Sequence, residues 1–212
     1  MMGNKKNNLS KIYGVAILVI VLDQLSKLLV HNFMDMGTFG EVKVIGDWFR
    51  LHYLLNPGMA FGMEFGNEYG KLILTTFRII ASGGIVYGLY IMNEKGAHWG
   101  FLVCGAMILG GAIGNSIDSV FYGVFIEGNM IPNSPTPWFH GQVIDMLYFP
   151  MVRGNFPDWL PFYGGDKFLF FSPVFNIADS AIFLGVLFIF IFQNKFAEYD
   201  KKELKKEVIE KE

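Results

Sequence analysis

Four apolar windows limit what this chain can fold into. They lie at residues 12–30, 72–92, 100–117 and 168–192. An α-helix needs about 20 mainly apolar residues to cross the ~30 Å hydrocarbon layer of a bilayer. We therefore predict an integral membrane protein, mainly α, with four transmembrane helices. Their predicted positions are about 12–30, 72–92, 98–119 and 173–192.

The composition agrees with a lipid environment and excludes several kinds of site. Charged residues make up 17% of the chain, against about a quarter in soluble domains. The net charge of -2 provides no basic surface for nucleic acid. The chain has one cysteine, Cys104, and four histidines without close ligand spacing, so a disulfide framework or a multi-cysteine metal site is excluded. We expect no nucleic-acid partner, no metal and no cofactor.

The distribution of positive charge predicts the topology. Most of the 17 Lys and Arg lie in the N-terminal arm, in the short loop at Lys95 and in the C-terminal tail. The positive-inside rule then places both termini in the cytoplasm, with tail 195–212, and puts outer segments 31–71 and 120–167 outside. We treat residues 1–212 as a single membrane-embedded domain.

The two outer segments have strand-forming and aromatic character. Residues 42–55 mix β-branched and aromatic side chains, which predicts short strands. A small β-containing extracytoplasmic subdomain built from both outer segments is therefore expected. The aromatic residues of the second segment are typical of an interfacial belt.

Ionisable residues inside the apolar windows are candidates for function. A charge at the centre of a membrane helix costs about 2.5–3.5 kcal/mol on insertion scales. Asp23 and Lys27 share a helix face and are expected to form a structural ion pair, with Lys27 reaching toward the outer interface. Arg78 is expected to snorkel or pair. If helix four begins near Pro173, Asp179 lies about 9 Å along its axis.

Further polar and small residues are predicted at the level of Asp179. Asn176 precedes Asp179 by three positions and shares its face. Asp145 returns to this level from the second outer segment. Helix three contributes a group of small and polar residues at its outer end, namely Gly110, Gly111, Gly114, Asn115 and Asp118. The glycines leave room for another helix or for a substrate to approach closely.

Several carboxylates at one membrane depth suit acid–base hydrolysis of a peptide. Two aspartates that share a proton do not both ionise easily, so one can activate water while the other protonates the leaving nitrogen. Buried carboxylates also fit a proton- or ion-coupled carrier that uses Asp23, Asp118 and Asp179. A third alternative is a catalytically inactive protein that only binds its ligands.

Five motifs separate these alternatives. They are DQLSK (23–27), NPGMAFG (56–62), GGAIGNSID (110–118), VIDM (143–146) and FNIADSAI (175–182). In this order, on this topology, the sequence strongly resembles the lipoprotein signal peptidases (signal peptidase II) over most of residues 12–192. The resemblance implies an intramembrane aspartic endopeptidase of the bacterial cytoplasmic (inner) membrane, active at its outer face. It implies cleavage of diacylglyceryl-modified prolipoproteins on the N-terminal side of the lipidated cysteine.

The resemblance also implies which residues act. The catalytic pair is Asp145 and Asp179, and Asp118 competes with Asp145 for this role. The residues expected to bind substrate or support the pair are Asp23, Lys27, Asn56, Gly58, Ala60, Phe61, Gly111, Gly114, Asn115, Asp118, Asn176 and Ala178. The small residues before the substrate cysteine would lie against Gly110, Gly111 and Gly114, with the acyl chains in membrane lipid. We expect a monomer.

Two features depart from the family pattern. The residue after the Asp118 motif is usually Arg, but here it is Ser119, and Arg153 is the expected substitute for that cation. The stretches between Asp118, Asp145 and Asp179 are also longer than in typical members. Such insertions in outer loops cost little stability and could cover the site or meet a partner.

Overall fold

The computed structural model describes residues 3–58 and 68–209. Its helices there are α1 (Gly3–Phe33), α2 (Glu68–Glu94), α3 (Trp99–Ile117), the single turn α4 (Gly123–Phe125) and α5 (Ile177–Ile209). Four helical segments in this part of the chain are long and apolar enough to cross a membrane: Leu9–Phe33, Tyr69–Glu94, Trp99–Phe125 and Ile177–Tyr199. The prediction of four such helices is confirmed.

The start of the last helix differs from the prediction. The helix was expected to begin near Pro173, but α5 begins at Ile177. Val174 and Phe175 instead form a short strand whose partners are Tyr148 and Leu147. Backbone pairing with a distant strand therefore overrides the preference of proline for a first helical turn.

Contacts between Cα atoms divide the chain into two compact units. The first contains the described residues within 1–24, 57–143 and 177–212. There α3 packs against α2 and α5, and a core of small and aliphatic side chains also joins α1. The core residues are Ile12, Ala16, Leu89, Leu102, Ala106 and Leu109. Large apolar side chains such as Phe77, Ile80 and Phe190 are exposed on the outer helix faces, as expected for helices surrounded by lipid.

The second unit contains residues 25–56 and 144–176. Its strands confirm the expected β-structure: β1 (Val42–Ile45), β2 (Phe49–Asn56), β3 (Val143–Tyr148), β4 (Val152–Asn155), β5 (Lys167–Phe170) and β6 (Val174–Phe175). One sheet has the order β1-β2-β3-β6, and β4 and β5 form a separate antiparallel ribbon. The rings of Phe49, Phe149 and Phe175 stack in sequence against the sheet. Trp159 and Phe162, by contrast, are largely exposed in the turn of the ribbon.

A π turn at Asp118–Tyr122 follows α3. The segment that leads into β3 donates two backbone hydrogen bonds to carbonyls of this turn. The Gly141 amide donates to the Ser119 carbonyl at 3.0 Å, and the Phe139 amide donates to the Val120 carbonyl at 3.3 Å. A Cβ on Gly141 would lie 2.2 Å from the Asp118 carbonyl oxygen, so this approach requires glycine. π turns often occur at functional sites.

Candidate active site

Asp145 lies in β3 and is almost fully buried. Two asparagine amides hold its carboxylate, one on each oxygen. Asn56, the last residue of β2, donates from Nδ2 to Asp145 Oδ2 at 3.0 Å. Asn176 donates from Nδ2 to Asp145 Oδ1 at 2.7 Å. β2 neighbours β3 in the sheet, which explains how Asn56 reaches the carboxylate. The two donors fix the orientation of Asp145.

Asp179 lies in the first turn of α5, not six residues into a helix as expected, because α5 begins at Ile177. Asn115 of α3 donates from Nδ2 to Asp179 Oδ1 at 2.8 Å. The two helices approach closely at this point, since a Cβ on Gly111 would lie 2.3 Å from the Ala178 carbonyl oxygen. The start of a helix also favours a negative charge. Asp179 is half-buried.

Asp23 of α1 is fully buried and supports the start of α5. Its Oδ1 accepts a hydrogen bond of 2.9 Å from the backbone amide of Ala178. This amide belongs to the first helical turn, which lacks acceptors within its own helix. Gly114 makes room for the contact, because a Cβ there would lie 2.7 Å from Asp23 Oδ2. Asp23 therefore caps the helix that carries Asp179.

Gln24 joins α1 to the π turn. Its Nε2 donates to Asp118 Oδ1 at 2.9 Å and to Asp23 Oδ2 at 3.1 Å, and its Oε1 accepts from the Tyr122 hydroxyl at 2.9 Å. Asp118 is fully buried. Gln24 and Tyr122 are site residues without a predicted role, although an amide next to Asp23 in an apolar helix is itself a signal of an interhelical contact.

Four of the predicted site residues remain, namely Lys27, Gly58, Ala60 and Phe61. Lys27 is fully buried, so it does not reach an outer surface as expected. Gly58 has a φ of +103°, and a Cβ there would lie 2.9 Å from Leu74; this is a position where glycine is required. Ala60 and Phe61 lie outside the described residues.

The faces of the helix-three glycines are covered by neighbouring helices. A Cβ on Gly110 would lie 2.7 Å from the Ala16 carbonyl oxygen of α1, and Gly111 and Gly114 face Ala178 and Asp23 in the same way. Neighbouring helices thus fill the space where a Cβ of these glycines would point, and the expectation that the substrate lies against them stays a prediction. Close helix packing accounts for them.

α2 presents a polar stripe, of which only Arg78 was predicted to pair. The stripe consists of Lys71, Thr75, Arg78 and Ser82, spaced so that they share one helix face. The Thr75 hydroxyl donates to the Phe139 carbonyl at 3.2 Å. Arg78 Nη1 donates to Ser119 Oγ at 3.4 Å. Polar residues repeating every three or four positions in an apolar helix were the available signal.

Arg78 is a cation beside Ser119, the position where the family resemblance led us to expect an arginine, and the expected role of Arg153 stays a prediction. Ser119 is fully buried, and its hydroxyl accepts a hydrogen bond from the guanidinium of Arg78. Arg153 is exposed in β4, where it pairs in register with Leu169 of β5.

A partly buried ionic cluster stabilises the β1–β2 hairpin. Glu41 accepts hydrogen bonds from Arg50 and from His52. Burial raises the pKa of Glu41, but the hydrogen bonds and charges of these two partners outweigh burial and hold that pKa below its ordinary value of 4.5. Within the described residues, no three His, Cys, Asp or Glu side chains lie close enough to hold a metal ion.

Comparisons with known proteins identify the family of the chain. The sequence model of the family described as signal peptidase (SPase) II matches residues 15–194. The chain is 48% identical to the lipoprotein signal peptidase of Amoebophilus asiaticus over 84% of this chain and 75% of that protein. It is 43% identical to the lipoprotein signal peptidase of Porphyromonas gingivalis over 84% of this chain and 80% of that protein.

The fold also resembles solved structures. A bacterial membrane enzyme determined by the in meso method at 1.9 Å resolution superposes with a TM-score of 0.57 at 24% identity, covering 86% of this chain and 91% of that chain. A related structure at 2.3 Å resolution gives a TM-score of 0.56. At this identity the likeness concerns the fold alone, whereas the family match and the curated relatives concern the sequence over most of its length. The chain therefore belongs to the signal peptidase II family, the lipoprotein signal peptidases.

Proposed function

We propose that this protein is an aspartic endopeptidase that removes the signal peptide from prolipoproteins, cutting on the N-terminal side of a diacylglyceryl-modified cysteine. The match to signal peptidase II across residues 15–194 carries this proposal. Membership of this family does not support the alternative of a proton- or ion-coupled carrier. Family membership also supports a catalytic role for the buried carboxylates.

Asp145 and Asp179 are the proposed catalytic residues. Each carboxylate receives at least one asparagine amide, from Asn56 and Asn176 at Asp145 and from Asn115 at Asp179. Preorganised amide donors keep a reactive carboxylate from rotating, which supports a role in positioned proton transfer. Asp118 is the proposed supporting residue, because Gln24 holds it in the contact between α1 and the π turn.

The proposed reaction needs two carboxyl groups in different protonation states. The ionised group takes a proton from water as the water oxygen attacks the scissile carbonyl carbon. The protonated group donates to the carbonyl oxygen, forming a tetrahedral intermediate. The carboxyl group that took the proton from water then gives it to the leaving nitrogen as the C–N bond breaks. A hydroxyl of the intermediate returns its proton to the other carboxylate as the C=O bond reforms, and the signal peptide departs with a new carboxyl group.

The membrane arrangement is part of the proposal. Both termini lie in the cytoplasm of a bacterial cell, the chain is embedded in the inner membrane as a monomer, and the reaction takes place at the outer face. Positive charge near the termini supports this orientation. A substrate whose diacylglyceryl chains lie in membrane lipid would present its scissile bond at that face. The exposed apolar helix faces support the contact with lipid.

The test is cleavage of a diacylglyceryl-modified prolipoprotein by the purified protein in lipid. The variants Asp145→Asn, Asp179→Asn and Asp118→Asn are compared with Asp35→Asn, which changes an exposed aspartate just beyond α1. We expect a loss of kcat of at least about 10³-fold at Asp145 and Asp179, because general acid–base catalysis is removed. Asp118→Asn should only weaken cleavage, and Asp35→Asn should not change it.

Two outcomes would contradict different parts of the proposal. A folded wild-type protein that cleaves no lipidated prolipoprotein would overturn the peptidase function. If Asp118→Asn abolishes cleavage while Asp145→Asn retains it, the peptidase stands and the proposed pair is wrong. Folding is checked for each purified variant by its melting temperature in one detergent.

A further inference from the structure

Arg78 is a cation within a membrane-spanning helix, and its position is tied to the active-site helix. A charged residue at such a position is costly to insert into the membrane, so it needs compensating contacts. One compensating contact is the hydrogen bond from Nη1 to Ser119 Oγ. At 3.4 Å this bond is long, so the guanidinium acts on the hydroxyl as a nearby positive charge as well as a donor.

Ser119 also makes a hydrogen bond with Asn115. Its Oγ donates to the Asn115 carbonyl at 2.9 Å, while the same carbonyl also accepts from the Asp118 amide. A hydroxyl has one proton to donate and two lone pairs to accept with. A cation beside the lone pairs of Ser119 therefore favours the rotamer whose proton points at Asn115.

Asn115 in turn holds Asp179. Its Nδ2 donates to Asp179 Oδ1 at 2.8 Å. The contacts from Arg78 to Ser119, from Ser119 to Asn115 and from Asn115 to Asp179 all lie within the first unit. They cross from α2 through the end of α3 to the first turn of α5. The π turn begins at Asp118, directly after this part of α3, where an ordinary α-helix would fix the backbone more regularly.

We propose that Arg78 is a positioning residue for Asp179, acting through Ser119 and Asn115. This inference rests on the proposed peptidase function of the same site. The guanidinium orients the Ser119 hydroxyl, the hydroxyl fixes the backbone at Asn115, and the Asn115 amide fixes the carboxylate. Arg78 therefore supports the chemical step and not the binding of substrate.

The test is a double-mutant cycle between Arg78→Met and Ser119→Ala, with cleavage followed as kcat and KM separately. We expect each single change to lower kcat by about tenfold, because small displacements of a reacting group are costly, with KM changed less than about twofold. Groups acting through one chain of contacts are not additive. The double variant should therefore be no slower than the slower single variant.

Two further variants separate positioning from charge and from folding. Arg78→Lys keeps the cation and should recover part of the lost kcat. Lys95→Met removes an exposed cation just beyond the end of α2 and should retain wild-type kcat. Ser119→Ala removes a single oxygen atom, so it remains informative if Arg78→Met fails to fold.

Several results would overturn the inference. Effects on kcat that multiply in the double variant would show that Arg78 and Ser119 act independently. A raised KM with unchanged kcat would assign Arg78 to substrate binding, and a loss that only follows the folded fraction would make its role structural. If wild type and Lys95→Met are both inactive, the proposed function has failed; if both are active and Arg78→Met keeps its kcat, only this inference has failed.

Discussion

Replacing Asp23 by alanine tests whether a carboxylate from α1 holds the first turn of α5. Asp23 and Ala178 are both fully buried, and the 2.9 Å hydrogen bond between them satisfies an amide that the helix itself leaves open. Alanine removes the acceptor and leaves no side chain able to replace it. The Ala178 amide is then buried without its present partner.

The size of the effect follows from two contributions. A buried amide that loses its acceptor costs about 1–3 kcal/mol. Loss of a negative charge at a helix N-terminus costs about 0.3–1 kcal/mol more. We therefore expect Asp23→Ala to lower the free energy of unfolding by about 3 kcal/mol, or the melting temperature by about 6–12 °C for a chain of this length. The kcat should fall as well, because Asp179 follows Ala178 directly.

Asp23→Asn separates the two contributions. Its amide oxygen can still accept from Ala178, but its amide nitrogen would face the Nε2 donor of Gln24, which now donates to Asp23 Oδ2. We expect a loss of about 1–2 kcal/mol, smaller than for alanine. Asp35→Ala, at an exposed position beyond α1, is the control for removing an acid.

The assay is thermal unfolding of the purified protein in one detergent, with cleavage measured on the same samples. The expected order of melting temperature is Asp35→Ala equal to wild type, then Asp23→Asn, then Asp23→Ala. An Asp23→Ala protein that melts within about 2 °C of wild type, less than the shift from 1 kcal/mol, and cleaves at the full rate would refute the capping role.

Two further predictions concern helix packing and pH. Gly111→Ala should lower the melting temperature, because its Cβ would lie 2.3 Å from a backbone oxygen of α5 and overpacking costs about 1–3 kcal/mol. The control is Gly84→Ala, at a position with open space around it. Equal melting temperatures for the two variants would contradict the close packing at Gly111. Glu41, whose pKa is lowered by Arg50 and His52, stabilises the hairpin fully above its ordinary pKa of 4.5, and this stability is lost as pH falls through the lower native pKa. The difference in melting temperature between wild type and Glu41→Gln should therefore narrow on acidification, and a difference independent of pH would count against the cluster.

Much of the fold follows from local sequence features. Four apolar windows are enough to predict four membrane-spanning helices, because crossing the hydrocarbon layer requires length and apolarity that few soluble segments have. The β-branched and aromatic residues at 42–55 predict strands, and β1 and β2 are found there. The proposed catalytic aspartates were also chosen from sequence, although the choice of Asp145 over Asp118 came from the family resemblance and awaits the cleavage assay.

The start of α5 shows where local reasoning fails. Pro173 suits a first helical turn, yet Val174 and Phe175 are held in a strand by Leu147 and Tyr148. Such pairing joins residues far apart in the chain, and no local pattern encodes it. The shift places Asp179 in the first helical turn, where Asp23 and Asn115 can support it.

The sequence by itself determined the class of protein and the number of apolar helices long enough to span a membrane, and it predicted which residues carry chemistry. These properties depend on composition, on hydrophobic length and on side-chain identity, all of which can be counted along the chain. Only the tertiary structure decided which amide holds which carboxylate, and that the Arg78 guanidinium donates to Ser119. Those contacts depend on the rotation of each helix about its axis and on strand register, which are set when distant segments pack together.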